Sequence, residues 1–430
     1  MGKIGLVGVL VALAMGAGAE LCAQSHPASA TQPAAWLLRG PYVQWDSATS
    51  RRILVKPAKG AAKLKVRYGP AEAKADGGSL VTMEGDPRSG IFRAVLKNLQ
   101  PGREYRYRVE AGGQVGDWSP FLMPPGAQSK QPLRFAVYGD SHENVKVHVP
   151  LSRAMAREPG LAFVCHVGDL VGKANEASYD RGFFTQARPL LRRAMLLPVV
   201  GNHDTYGPDK GDLLPRLFDL PAPGRRYWSV DLGPVHLVGL DCFDPARRGN
   251  PFSPDAKQGQ WLRKDLAAAK EQTWKVVLLH EPPLSAGRRG LAKRRRLIED
   301  LCEALEGFGV DICFAGDQHM YNRTHPVGSE GKPSPVYVTT GGGGGYSSRL
   351  VSGDPKLPPN LRGGDSFHAM MRYIYHYCLV EVSGQTMTVT AKTIKGQPAD
   401  RFTITKGRAP KKTFSREAAL KEIEARATKP

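Results

Sequence analysis

The chain has 430 residues, 41% of them hydrophobic and 23% charged, which exceeds the usual span of one hydrophobic core and argues against disorder of the whole chain. Lys and Arg total 60 against 40 Asp and Glu, a formal net charge of +20 that favours anionic partners without choosing among phosphate esters, nucleic acid and anionic lipid. The cysteines, Cys22, Cys165, Cys242, Cys302, Cys313 and Cys378, include no close-spaced pair, which excludes a disulfide scaffold and a four-cysteine zinc site.

Residues 1–23 read as a secretory signal peptide: Met1-Gly2-Lys3 carries one positive charge, Ile4 to Ala19 is apolar, and Ala17-Gly18-Ala19 supplies the small-residue pattern of a cleavage site. The apolar run is shorter than the roughly 20 residues that cross a bilayer, and no later segment is apolar enough. The expected location is therefore secreted or periplasmic, with no membrane span. Residues 24–34 are Ser, Pro and Ala rich, as in a short linker.

From 35 to 126 the chain shows short alternating strands broken by Gly and Pro. In Glu104-Tyr-Arg-Tyr-Arg-Val-Glu110, Tyr105, Tyr107 and Val109 share one face and Arg106 and Arg108 the other, the period of a half-buried strand. This predicts an antiparallel β-sandwich. The turn at Pro101-Gly102 followed by Tyr105 places a tyrosine where its hydroxyl can bond the upstream backbone, as in the tyrosine corner of immunoglobulin-like sandwiches. The segment resembles a fibronectin type III module.

Between 132 and 406 the texture changes to apolar strands separated by helices, predicted near 146–157, 176–193, 258–270 and 293–307. That pattern indicates an α/β architecture covered on both faces, in which function collects beyond the carboxyl ends of the strands. Further strands are expected around 374–382, 386–393 and 401–405. Residues 407–430 read as a basic tail, with 415–427 helix-prone and expected on the surface or partly disordered.

Five of the predicted strands end alike. Leu133 to Gly139 runs into Asp140-Ser-His142, Leu161 to Gly168 into Asp169, and Met195 to Gly201 into Asn202-His203-Asp204. Trp274 to Leu279 runs into His280, and Val310 to Gly316 into Asp317-Gln-His319. A lone Asp after a strand is usually a helix cap and a lone His a structural residue. The ordered set is hard to obtain by chance. Carboxylate, amide and imidazole groups suit borderline or hard cations such as Fe, Mn and Zn.

These blocks resemble the calcineurin-like metallophosphoesterases, and among them most the purple acid phosphatase branch. That branch also has a fibronectin-like domain before the catalytic one, a Gln-Trp-Leu helix matched by Gln260-Trp261-Leu262, and a His-x-Tyr-x-Arg run matched by His319, Tyr321 and Arg323. The resemblance implies a β-sandwich core flanked by helices, preceded by the small all-β sandwich. It also implies two metal ions, the first held by Asp140, His142, Asp169 and His319, and the second by Asp169, Asn202, His280 and Asp317. Two ions in such a site orient and deprotonate water while neutralising phosphate oxygens. By the same resemblance His203 faces the substrate. Paired with Asp204, it is the candidate to protonate the leaving oxygen, a neighbouring carboxylate helping to keep the imidazole charged.

The sequence departs from that branch at three places. Gly172 stands where the branch has the tyrosine that colours it, and His142 supplies the remaining first-site ligand, so a colourless protein is expected. Asp317 replaces a histidine, which favours Mn or Fe over Zn at the second site. The loop after His280 offers Arg288 and Arg289, whose guanidinium forks suit phosphate oxygens. The expected activity is metal-dependent hydrolysis of phosphate monoesters, acid phosphatase-like, with no specific nucleic acid partner. A phosphodiesterase on the same scaffold, or a catalytically weakened binder of anionic polymers, are the alternatives.

Overall fold

The computed structural model describes residues 36–58, 63–74, 77–243, 249–284, 295–346 and 366–427. The signal peptide and linker expected over 1–34, together with Arg288 and Arg289, lie outside the described residues. Among the described residues no helix is long and apolar enough to cross a membrane.

The N-terminal part is an antiparallel sandwich of two sheets. One sheet orders Leu37–Ser47, Ser50–Pro57, Phe92–Leu96 and Glu84–Gly85. The other orders Ser79–Thr82, Leu64–Pro70, Glu104–Ala111 and Gln114–Val115, with Ser119–Leu122 pairing on Glu104–Ala111. Tyr105, Tyr107, Val109 and Ala111 are buried in alternation, as their period requires. The Gln100 backbone N–H donates to the Tyr105 hydroxyl at 2.9 Å, which pins the corner the sequence predicts.

The second part packs two mixed sheets face to face. The first orders Met195–Pro198, Leu161–His166, Leu133–Tyr138, His376–Ser383, Thr386–Thr393 and Pro398–Thr405. The second orders Trp228–Leu232, Val235–Gly239, Trp274–Leu278, Ile312–Ala315, Val336–Thr340, Tyr321–Thr324 and His368–Arg372. Strand alternation assigns the faces. Val276 and Leu278 join Phe135, Val137 and Val380 in the core between the sheets. Val277 and Leu279 face Leu262 and Leu266 of helix Lys257–Ala268, and Leu301 and Leu305 of helix Arg295–Gly307. A near-continuous apolar strand therefore marks a sheet covered by another sheet on one side and helices on the other.

Two predicted elements differ. The helix expected over 176–193 is broken into Glu176–Ser178, a π-helical turn at Tyr179–Phe184 and Arg188–Leu191. Gly182 offers a reason, since a Cβ there would meet the Glu143 side chain at 2.2 Å. The C-terminal helix, Arg416–Ala427, is no loose appendage: Ala419, Leu420 and Ile423 are buried in the cluster that covers the second sheet.

The two parts share one apolar cluster and a polar seam. Buried Arg39 bonds Asp180 at 2.5 Å and Glu176 at 3.0 Å, Arg93 grips both oxygens of Asp219 at 2.8 and 2.9 Å, and the Tyr42 hydroxyl donates to the Leu217 carbonyl at 2.6 Å. A buried guanidinium with its carboxylates satisfied fixes orientation more than it adds stability.

Away from the site, the hairpin Trp228–Leu232/Val235–Gly239 sets His236 opposite Asp231, and both ring nitrogens donate to carboxylates, Asp231 at 2.7 Å and Asp265 at 2.9 Å. Burial opposes the charge, but these two bonds raise the imidazole pKa to about 9. A raised folded-state pKa stabilises below the unfolded value and is lost as pH climbs through the folded one. Replacing His236 with Gln should therefore cost about 1–2 kcal/mol at pH 6, after discounting for the exposed Asp231, and almost nothing at pH 10. Thermal unfolding of both proteins from pH 6 to 10 checks it; a cost independent of pH would assign the loss to packing.

Candidate metal centre

Five parallel strand ends converge where the carboxyl edges of the two sheets meet. In the first sheet Tyr138 pairs with His166 and His166 with Pro198, so the segments ending at Asp140, Asp169 and Asn202 emerge in step. In the second sheet Leu278 pairs with Phe314, which brings out His280 beside Asp317. The His280 Nδ1–H donates to the Val167 carbonyl at 2.7 Å and ties the two edges together.

The backbone at these ends is sharply turned. Asp140, His142, Glu143, Asp169 and Asp317 adopt φ of 59°, 45°, 61°, 57° and 63°. Left-handed backbone is uncommon outside glycine and is retained where the surroundings over-determine it, often at functional sites. Here it turns the chain just beyond three of the strands, at Asp140, Asp169 and Asp317, whose side chains come to a common point.

Those side chains form two groups that share one carboxylate. His142 Nε2 lies 3.2 Å from His319 Nε2, 3.4 Å from Asp169 Oδ2 and 3.9 Å from Asp140 Oδ1, and His319 Nε2 lies 3.6 Å from the same Asp140 oxygen. His280 Nε2 lies 3.0 Å from Asn202 Oδ1, 3.4 Å from Asp169 Oδ2 and 3.9 Å from Asp317 Oδ1. Asp169 Oδ2 is thus 3.4 Å from an imidazole of each group.

The donor set fits cations. Both Asp140 oxygens are buried with no hydrogen-bond partner, a costly arrangement for a carboxylate unless a positive charge sits against it. Two of the three histidines that would ligate through Nε2 have their other nitrogen engaged: His280 Nδ1–H on the Val167 carbonyl, and His319 Nδ1–H on the Tyr346 carbonyl at 2.6 Å. Such outer bonds fix the tautomer and point the Nε2 lone pair inward. The electrostatics agree. Burial works against charge on both, yet the Asp169 carboxylate drives the His280 pKa well up, and His280 in turn drives Asp169 well down. Burial also opposes the charged form of His142, which Asp140 and Asp169 nonetheless raise.

The glycine run closes over this point. Gly343 N–H donates to the Gly139 carbonyl at 2.8 Å and Gly345 N–H to the Asp140 carbonyl at 2.6 Å. A Cβ at Gly345 would stand 2.5 Å from the His319 ring, so only glycine lets the loop pass this close.

These observations meet an independent one. The model of the calcineurin-like phosphoesterases matches residues 133–321, the segment that spans every one of these strand ends. This segment is thus similar in sequence to the calcineurin-like phosphoesterases. The chain is 28% identical over 305 residues to purple acid phosphatase 21 of Arabidopsis thaliana, a match covering 66% of each protein. It is 23% identical over 294 residues to the Fe(3+)-Zn(2+) purple acid phosphatase 12 of the same plant, covering 61% of each. The alignments thus span no more than 66% of these relatives' own length. The solved purple acid phosphatase from yellow lupin seeds shares the fold, with TM-score 0.67 over 88% of this chain and 75% of that one at 18% identity.

Around this centre, one expected contact is absent and two residues were missed. Asp204 does not pair with His203. The His203 Nδ1–H donates instead to the Gly172 carbonyl at 2.8 Å, and its backbone N–H to Asp169 Oδ1 at 2.8 Å. Buried Asp204 turns the other way: Oδ2 accepts the Asp169 and Gly201 N–H groups at 2.8 and 2.9 Å, and Oδ1 the Leu170 N–H and the Tyr179 hydroxyl at 3.2 and 2.8 Å. A carboxylate next in sequence to a histidine points to the opposite side of a 3-10 turn, His203–Thr205. The missed residues are Tyr179, in the π turn, and Tyr206, whose hydroxyl accepts from Asn202 Nδ2 at 3.0 Å. Neither follows a strand end, so the pattern that picked out the candidate ligands could not reach them.

Proposed function

We propose that this protein is an exported, two-cation phosphoesterase that hydrolyses phosphate monoesters. The observation that carries the reading is Asp169, one buried carboxylate oxygen set 3.4 Å from an imidazole of each ligand group, with His203 on the next loop. Asp140, His142, Asp169 and His319 would hold one cation, and Asp169, Asn202, His280 and Asp317 the other. When bound, two such cations neutralise phosphate oxygens and lower the pKa of water.

The rest of the chemistry belongs to the chain. The Gly172 carbonyl holds the His203 Nδ1 proton, which leaves Nε2 as the position that carries a proton to the leaving oxygen. The anionic Asp317 supports Mn or Fe over Zn in the second group. Arg288 and Arg289, in the loop after His280, are the proposed phosphate clamp. The leader-like pattern of residues 1–23 supports export.

Metal analysis combined with hydrolysis of p-nitrophenyl phosphate and bis-p-nitrophenyl phosphate tests the reading. Two equivalents of metal and faster turnover of the monoester are expected. Faster turnover of the diester would reassign the protein as a phosphodiesterase. A full metal complement with neither ester cleaved would leave a cation-bearing binder of anionic polymers.

A further inference from the structure

We infer that Tyr206 is a positioning residue that holds the Asn202 amide with its oxygen, rather than its nitrogen, toward the second cation. The inference rests on the two-cation reading of the site and not on ester hydrolysis.

An asparagine ligand has a weakness that a carboxylate lacks. Its two ends are nearly the same shape, but only the oxygen can accept or ligate, while the nitrogen presents two protons. A half turn of the amide would therefore aim N–H groups at a cation. At Asn202 the oxygen lies 3.0 Å from His280 Nε2, and the nitrogen donates to the Tyr206 hydroxyl at 3.0 Å. Among the described residues that hydroxyl is the amide nitrogen's one hydrogen-bond partner.

Local backbone sets the partner in place. Asn202 opens the 3-10 turn His203–Thr205, and the Tyr206 N–H donates to the His203 carbonyl at 3.0 Å, so the chain turns back and leaves the Tyr206 hydroxyl within reach of the Asn202 amide. Burial does little to hold the tyrosine there: it is 51% exposed, and its ring stands 4.8 Å from the His203 ring at the rim of the site.

The test uses Tyr206→Phe, Asn202→Asp and the double variant of the full chain. Manganese(II) is titrated calorimetrically into protein stripped by chelation, and thermal unfolding of the stripped proteins is recorded alongside. Tyr206→Phe should still bind two equivalents, the weaker one about 10–100-fold less tightly, as for other outer partners of metal ligands. The stripped variant should melt within about 2 °C of the parent, as for a surface change. In the Asn202→Asp background the two oxygens are equivalent, so no orientation is left to hold. Removing the Tyr206 hydroxyl there should change affinity less than about threefold.

Wild-type affinity in Tyr206→Phe overturns the inference. So does an equal loss in both backgrounds, or a loss accompanied by a matching fall in melting temperature, which would mark a structural role. A parent protein that binds fewer than two equivalents removes the two-cation reading and the inference with it, before any variant is compared.

Discussion

Replacing His203 with alanine is expected to lower kcat about 10²–10⁴-fold, the usual worth of a positioned general acid, while two equivalents of metal stay bound. The expectation follows from where the ring is tied. Its Nδ1–H is committed to the Gly172 carbonyl, so only Nε2 can exchange a proton with a ligand. The ring also stands 4.6 Å from that of His142, at the edge of the first ligand group. That nearness leaves a second role open to measurement, since His142, Asp169 and His203 each bring a potential ligand atom within 4.8 Å of the others. The leaving group separates the roles. A general acid matters less as the departing oxygen becomes a better leaving group, so the loss should be smaller for p-nitrophenyl phosphate than for an alkyl phosphate. An equal loss on both esters, with metal content falling to one equivalent, would make His203 a ligand instead.

How much of this was legible in the sequence depends on how far a residue's role is set by its own strand. Asp140, Asp169, Asn202, His280 and Asp317 each follow an apolar run directly, and a strand that enters a parallel sheet delivers its next residues to the carboxyl edge. Period two located Tyr105 and its corner for the same reason. The failures share a different cause. Residues 176–193 carry a helical period, but a neighbouring side chain, Glu143, lies against Gly182 and the segment turns in short pieces. The burial of Ala419, Leu420 and Ile423 depends on a sheet face left open by helices far away in sequence. The direction of Asp204 depends on which backbone N–H groups lie on either side of a 3-10 turn. These are tertiary facts, and no local pattern encodes them.

Asp204 carries the other large expected effect, and it should act on the frame of the site rather than on proton transfer. Its carboxylate binds together the two loops that carry Asp169 and Asn202, taking the N–H groups of Asp169, Leu170 and Gly201 and the Tyr179 hydroxyl. Burial, with the charge of Asp169 beside it, pushes the carboxyl pKa up to about 7, while the Gly201 N–H and the Tyr179 hydroxyl work against that push by favouring the ionised form. Asparagine at this position keeps one acceptor and turns an NH₂ group toward two donors. Asp204→Asn should therefore destabilise the fold by roughly 3–5 kcal/mol, from buried donors left without acceptors. Metal affinity should fall about 10–100-fold, because the backbone that aims Asp169 and Asn202 loosens. Unfolding measurements and metal titration read the two effects. The contrast with His203 is the decisive part: His203→Ala should keep its metal and lose turnover, whereas Asp204→Asn should lose metal and stability together. The two changes act through different steps, so at saturating metal their effects on kcat should add in the double variant. If Asp204→Asn instead kept stability and metal and reproduced the kcat loss of His203→Ala, with no further loss in the double variant, the two residues would be working as one pair.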